Sequence, residues 1–311
     1  MTKSKGKEKG TKAVNQEEEK PSKYINPLTD FGFKYLFGTK ELLIDFLNGI
    51  VEVESGIVNL TYENTERVAH SANERTARFD LHCTTGTGER IIIEMQNNSQ
   101  DFFKDRTIYY ATFPIQEQAP KKKNWDYKLS PVFSVNIVNF LMADEEPNEL
   151  QQQEKSEVAN KYLTFVQLID RDTHRVFYKK LTFVYLELPQ FTKKENELET
   201  GREQWVFILK NLPNLNEMPA TLRNEVFEQL FKMAEIAKLS AKDRKEYYRS
   251  LKSYRNMNNL IAQRDRKILE SKQVIATLKQ ENTTFRKEVK TQRKMIADLQ
   301  RQLRQNEKRL N

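Results

Sequence analysis

Residues 78–96, RFDLHCTTGTGERIIIEMQ, carry two runs of alternating side chains around a turn. Phe79, Leu81 and Cys83 alternate with Asp80, His82 and Thr84 in the first run; Ile91, Ile93 and Met95 alternate with Ile92, Glu94 and Gln96 in the second. A period of two is that of a β-strand with one face toward a core. TTGTGE between the runs supplies two glycines free to take positive φ, so the segment reads as a β-hairpin. The loop length decides what the acids meet. An odd loop centred on Thr87 sets Asp80 across the ladder from Glu94, and Arg78 across from Gln96; an even loop sets Asp80 against Ile93 and separates the acids.

Two carboxylates on facing strand positions, with Cα atoms about 4.5–5.5 Å apart, repel each other unless a positive charge lies between them. A hard divalent cation suits that place, because Mg²⁺ takes one or two carboxylates, several waters and a phosphate oxygen. Gln96, two residues beyond Glu94, points the same way along its strand and can orient a water for attack on phosphorus. The bland alternative is a half-exposed antiparallel strand, which shows the same alternation.

An Asp, thirteen intervening residues and then Glu94-Met95-Gln96 resemble the signature of the PD-(D/E)xK nuclease superfamily, in which an E-x-K follows on the second strand. NPLTDFGFKYLFGTKELLIDFLNGIV (26–51), FFKDRTIYYATFPIQEQ (102–118) and PVFSVNIVNFLM (131–142) extend the likeness to the Rpn-type recombination-promoting nucleases, often labelled transposases. The resemblance runs from residue 24 to about 240 and is sharpest before 142. It implies an α/β, restriction-endonuclease-like core and a DNA endonuclease that uses Mg²⁺, with Mn²⁺ able to substitute. Asp80 and Glu94 would hold the metal, and Gln96 would stand where the general motif has Lys. Activity in that family is tied to DNA breaks that promote recombination. Gln cannot carry the charge of Lys, so the second reading is an inactive nuclease fold that serves as an interaction protein.

Other residues have two readings each. Asp30, in TDFGFKYLFG, is an accessory acid by the resemblance, or a helix cap or turn. Arg106 can meet a phosphate, or pair with Glu94 or Asp105. Lys121, Lys122 and Lys123 form a basic loop that touches a DNA backbone or is simply solvated. Cys83 is the only cysteine, which excludes an internal disulfide, and it falls on the apolar side of its strand. Three histidines and one cysteine do not make a Cys/His zinc site. Neither a Walker pattern nor G-x-G-x-x-G occurs, and no organic cofactor is indicated.

Charge is concentrated at the ends of the chain. Residues 1–23 carry +3 and 241–311 carry +12, which leaves −7 for 24–240 out of the total of +8. A basic helix joined to an acidic metal-binding domain is compatible with holding a polyanion. At 38% hydrophobic and 31% charged, with a mean hydropathy of −0.78, the chain offers no membrane span. Its first 23 residues lack the apolar core of a secretory signal, so an intracellular, cytoplasmic protein is expected, with no membrane partner.

Periodicity gives the remaining organisation. Leu42, Leu43, Phe46, Leu47 and Ile50 predict a helix from near Lys40 to near Gly49. Strands near 57–63, 77–84 and 90–97, a helix at about 101–119 and a strand at 131–140 complete an α-β-β-β-α-β order. Residues 162–170 and 181–188 predict two added strands joined by RDTHRVFYKK, and 203–212 and 221–239 predict helices packed on the core. The expected divisions are a disordered basic tail (1–23), a nuclease-like core (24–190), a helical extension (191–240) and a long basic helix (241–311). From Ile261 every seventh residue reads Ile261, Ile268, Ile275, Asn282, Val289, Ile296, Leu303, Leu310, with Leu278, Phe285 and Leu299 three places on. That heptad predicts a two-stranded parallel coiled coil, hence a homodimer through 261–310, with Asn282 fixing the register. Arg264, Ser271, Gln292 and Asn306 weaken it, and a single exposed helix is the alternative.

Overall fold

The computed structural model describes residues 22–67, 77–119, 125–142 and 161–310, with side chains to 306. Lys121, Lys122 and Lys123, the polar segment 143–160 and the expected tail up to residue 21 lie outside the described residues. The chain forms two units, Met1–Ser250 and Leu251–Asn311.

The first unit is built on a six-stranded mixed sheet in the order β1-β4-β5-β6-β8-β7. These strands are β1 (Leu60–Tyr62), β4 (Leu81–Thr85), β5 (Arg90–Gln96), β6 (Val132–Val138), β7 (Leu163–Ile169) and β8 (Val176–Glu187). Two short strands, β2 (Glu66–Arg67) and β3 (Ala77–Arg78), pair separately. β5 is antiparallel to β4 and parallel to β6, and β6 is parallel to β8. A parallel connection needs a crossover, which α3 (Phe103–Gln116) supplies between β5 and β6. With parallel neighbours on both sides, every residue of β6 is buried, and VFSVNIV reads as the near-continuous apolar run such a strand needs. The expected α-β-β-β-α-β order is present, as a restriction-endonuclease-like core. The added pair extends the sheet with β8 innermost, and β8 already begins at Val176, inside the stretch expected to be a connection.

One helix precedes the expected first one. α1 (Asp30–Phe37) is started by Thr29, whose hydroxyl accepts from the Gly32 amide at 3.0 Å, and α2 (Lys40–Ile50) follows after Gly38. Gly32 allows the start of α1 to lie against residue 26: a Cβ there would sit 2.1 Å from the Asn26 carbonyl oxygen. Helices α4 (Gly201–Asn211) and α5 (Glu225–Ala234) pack on α1 and α2 through Phe37, Phe46, Trp205 and Phe227, whose successive ring centroids lie 4.8–5.6 Å apart. The Trp205 indole donates to Asp45 at 2.6 Å. The last helix, α6 (Ala241–Leu310), joins this core in its first turns, where the Tyr247 hydroxyl accepts from the Asn26 amide at 3.0 Å.

The hairpin has the odd register. Leu81 pairs with Ile93 and Thr84 with Arg90, and Thr85 and Glu89 close a three-residue loop of Gly86, Thr87 and Gly88, the last at φ +98°. Two details of the expected hairpin are corrected. The β4 ladder begins at Leu81; Arg78 belongs to β3, where it faces and ion-pairs with Glu66 instead of Gln96. The chain therefore bends at Asp80, and the alternation breaks there. Phe79 packs with Ile92 and with Tyr110 and Phe113 of α3, not with the faces of Leu81 and Cys83. Cys83 is fully buried, as its alternation predicts, and burial pushes its thiol up to about 12.

Candidate metal centre

β4 begins where β5 ends, so the start of one strand and the carboxyl end of the other form a single rim of the sheet. Asp80 lies one residue ahead of the β4 ladder, whose first pair is Leu81 with Ile93, and so stands at the strand end beside Glu94 and Met95. Its Oδ2 accepts from the Met95 amide at 2.8 Å, which fixes the carboxylate against β5. The Asp80 amide, close to the Glu94 carboxylate, favours its charged form. Asp80 is thus held by the β5 backbone beside Glu94, whose Oε1 is buried with no hydrogen-bond partner among the described residues.

The electrostatics follow from that packing. Burial, with the Asp80 charge beside it, pushes Glu94 up to about 8, against opposing pulls from Arg106, the Asp80 amide and Lys34. Burial also raises Asp80; the Met95 amide and Lys34 act against it and Asp30 adds to it. Two adjacent acids, one close to neutral and with an oxygen left over, fit a hard cation supplied with oxygen ligands. Among the described residues there is no group of three or more His, Cys, Asp or Glu side chains suited to a metal.

Gln96, at the last position of β5, is tied at both ends of its amide. Its Oε1 accepts from Arg106 Nη2 at 2.8 Å and its Nε2 donates to the Asn98 carbonyl at 3.1 Å. Arg106 reaches in from α3, donates also to Gln100 at 2.6 Å, and lies 5.5 Å and 5.7 Å from the ring centroids of Phe103 and Tyr110. It hydrogen-bonds to the two glutamines, not to Glu94 or Asp105. Asp30 is the first residue of α1 and pairs with Lys34 at 2.5 Å. Lys34 in turn lies 3.8 Å from Asp80 Oδ1, so Asp30 connects to the acid pair through a lysine.

Lys34 and Asn136 are absent from the sequence reading. The signal for Lys34 was its i, i+4 spacing from Asp30, which puts both on one helix face. Asn136 pairs with Glu94 in the β5–β6 register, is fully buried, and donates to Ser134 at 3.0 Å while its Oδ1 has no partner among the described residues. A polar residue within an apolar strand was its only sequence signal.

The sheet order, the crossover helix and the paired acids at the strand ends define a nuclease-type α/β protein. The family model for PD-(D/E)XK nuclease family transposases matches residues 27–264, and the chain belongs to that family. No match was found among curated proteins or among solved structures. Among the described residues, no helix is long and apolar enough to cross a membrane.

Proposed function

We propose that this protein is a metal-dependent endonuclease that hydrolyses DNA phosphodiester bonds, with Mg²⁺ as its ion and Mn²⁺ as a substitute. The observation that supports this most is the Asp80–Glu94 pair, with Asp80 fixed to the β5 backbone by the Met95 amide and Glu94 retaining an unpartnered buried carboxylate oxygen. In this reading Asp80 and Glu94 would hold the ion. Once bound, such an ion supplies an activated water and charge stabilisation at phosphorus.

The chain's own residues do the rest. Arg106 offers a planar fork to a non-bridging phosphate oxygen, held in place by Gln96 and Gln100. Gln96 aligns Arg106 through its Oε1, and the second acceptor and donor sites of its amide leave it able to orient a water. Lys34 balances Asp80 and brings positive charge to the rim that the superfamily motif places at residue 96. Breakage of DNA in recombination or by mobile elements is the corresponding role.

A non-cleaving interaction protein is the second reading, favoured by Gln96 in the place of Lys. Supercoiled plasmid incubated with Mg²⁺ or Mn²⁺ separates the two. Nicking by the wild type that is lost in Asp80→Ala and Glu94→Ala supports the nuclease. Nicking that persists in both variants removes the proposed site, and no nicking by folded wild type favours the second reading.

A further inference from the structure

Residues Leu251–Asn311 form their own unit, a single helix with nothing inside that unit to cover its apolar stripe. Ile268, Ile275, Leu278, Phe285 and Leu299 along that stripe are 45–65% exposed. From the charges that flank the stripe, we infer that its occupant is a second copy of this chain, lying parallel and in register.

With Ile261 at heptad position a, the flanking e column reads Asp265, Lys272, Lys279, Arg286, Arg293, and the g column reads Lys267, Val274, Glu281, Glu288, Met295. A parallel pair sets each g residue against the e residue five places on in the other copy. Glu281 then meets Arg286 and Glu288 meets Arg293, each twice by symmetry, on a helix face where these side chains are exposed in the single chain. An antiparallel pair sets e against e and g against g. It would bring Lys272, Lys279, Arg286 and Arg293 against one another, and the two glutamates likewise. One pairing opposes the parallel arrangement, Lys267 against Lys272. Asn282 lies in the a column, where only an in-register partner lets it meet its own counterpart, amide to amide. The charge pattern and the single buried-column Asn thus select the same orientation independently.

Light scattering on the full chain at micromolar concentration should give twice the 36.8 kDa chain mass. Arg286→Glu with Arg293→Glu should weaken association about tenfold or more, and adding Glu281→Arg with Glu288→Arg should restore it. Because native Cys83 is buried, an introduced cysteine reports alone. Ser271→Cys should oxidise to a disulfide-linked dimer with itself, while a mixture of Ser271→Cys and Gln292→Cys chains should give few mixed crosslinks. Circular dichroism on each variant confirms that the helix is kept. A mass other than two chains, crosslinks only in the mixture, or no rescue by the fourfold reversal would overturn the inference.

Discussion

Replacing Glu94 by Gln should stabilise the metal-free protein at neutral and alkaline pH, an unusual outcome for a change at a candidate active centre. Glu94 is displaced from its ordinary 4.5 to about 8 by burial and by Asp80. A carboxyl group raised in the folded state contributes stability that is fully present below about 4.5 and is lost as pH rises to about 8. At about 1.4 kcal/mol per pH unit, the displacement from 4.5 to about 8 costs at most about 4–5 kcal/mol at pH 8. Partial exposure of the side chain reduces this to about 1–2 kcal/mol. Gln has the same shape and carries no charge, so Glu94→Gln should match the wild type at pH 4.5 and exceed it by about 1–2 kcal/mol at pH 8 in EDTA. Mg²⁺ should reverse the order, because a cation held by ionised Glu94 stabilises only the wild type. Urea unfolding at the two pH values, with EDTA or with Mg²⁺, reads all four conditions. A Glu94→Gln protein that is less stable than wild type at pH 8 in EDTA would refute the reasoning, since Glu94 would then be a satisfied ion and not a strained one.

Other residues give separable outcomes. Arg106→Lys cannot make both glutamine contacts with one planar fork, and should raise KM for DNA about tenfold with cation binding unchanged; an unaltered KM would remove Arg106 from the substrate site. Lys34→Met should lower the nicking rate while the cation binds at least as tightly, because Lys34 competes for Asp80; weaker cation binding would contradict this. Gly32→Ala, whose Cβ would sit 2.1 Å from the Asn26 carbonyl oxygen, should destabilise the fold by about 1–3 kcal/mol in thermal unfolding, and an unchanged Tm would mean that α1 starts differently.

The hairpin was legible because two local signals agreed, alternation in each run and two glycines in the turn, while the odd loop that brings Asp80 toward Glu94 was one of two registers the sequence allowed. The helix 40–50 and the crossover helix were legible for the same kind of reason, a helical period with polar breaks. What was hidden depends on distant parts of the chain. Arg78 pairs with Glu66 rather than continuing the hairpin, a choice made by β2 and not by the residues around Arg78. In FGFKYLF, alternating aromatics mask a helical period, so α1 does not stand out in the sequence. Lys34 reaches Asp80, and Asn136 stands beside Glu94, only once helix and sheet are assembled. The Gln96–Arg106 bond likewise joins β5 to α3, a contact that the spacing within β5 does not reveal.

A shared site for one divalent cation on Asp80 and Glu94, as proposed, has a direct thermodynamic test. Calorimetric titration of the metal-free protein with Mn²⁺ in two buffers of different ionisation enthalpy measures both the ion and the protons it displaces. One ion per chain is predicted, with net proton release at pH 7 as Glu94 ionises, and with both signals lost in Asp80→Asn and in Glu94→Gln. Full-affinity binding in either folded variant would contradict it.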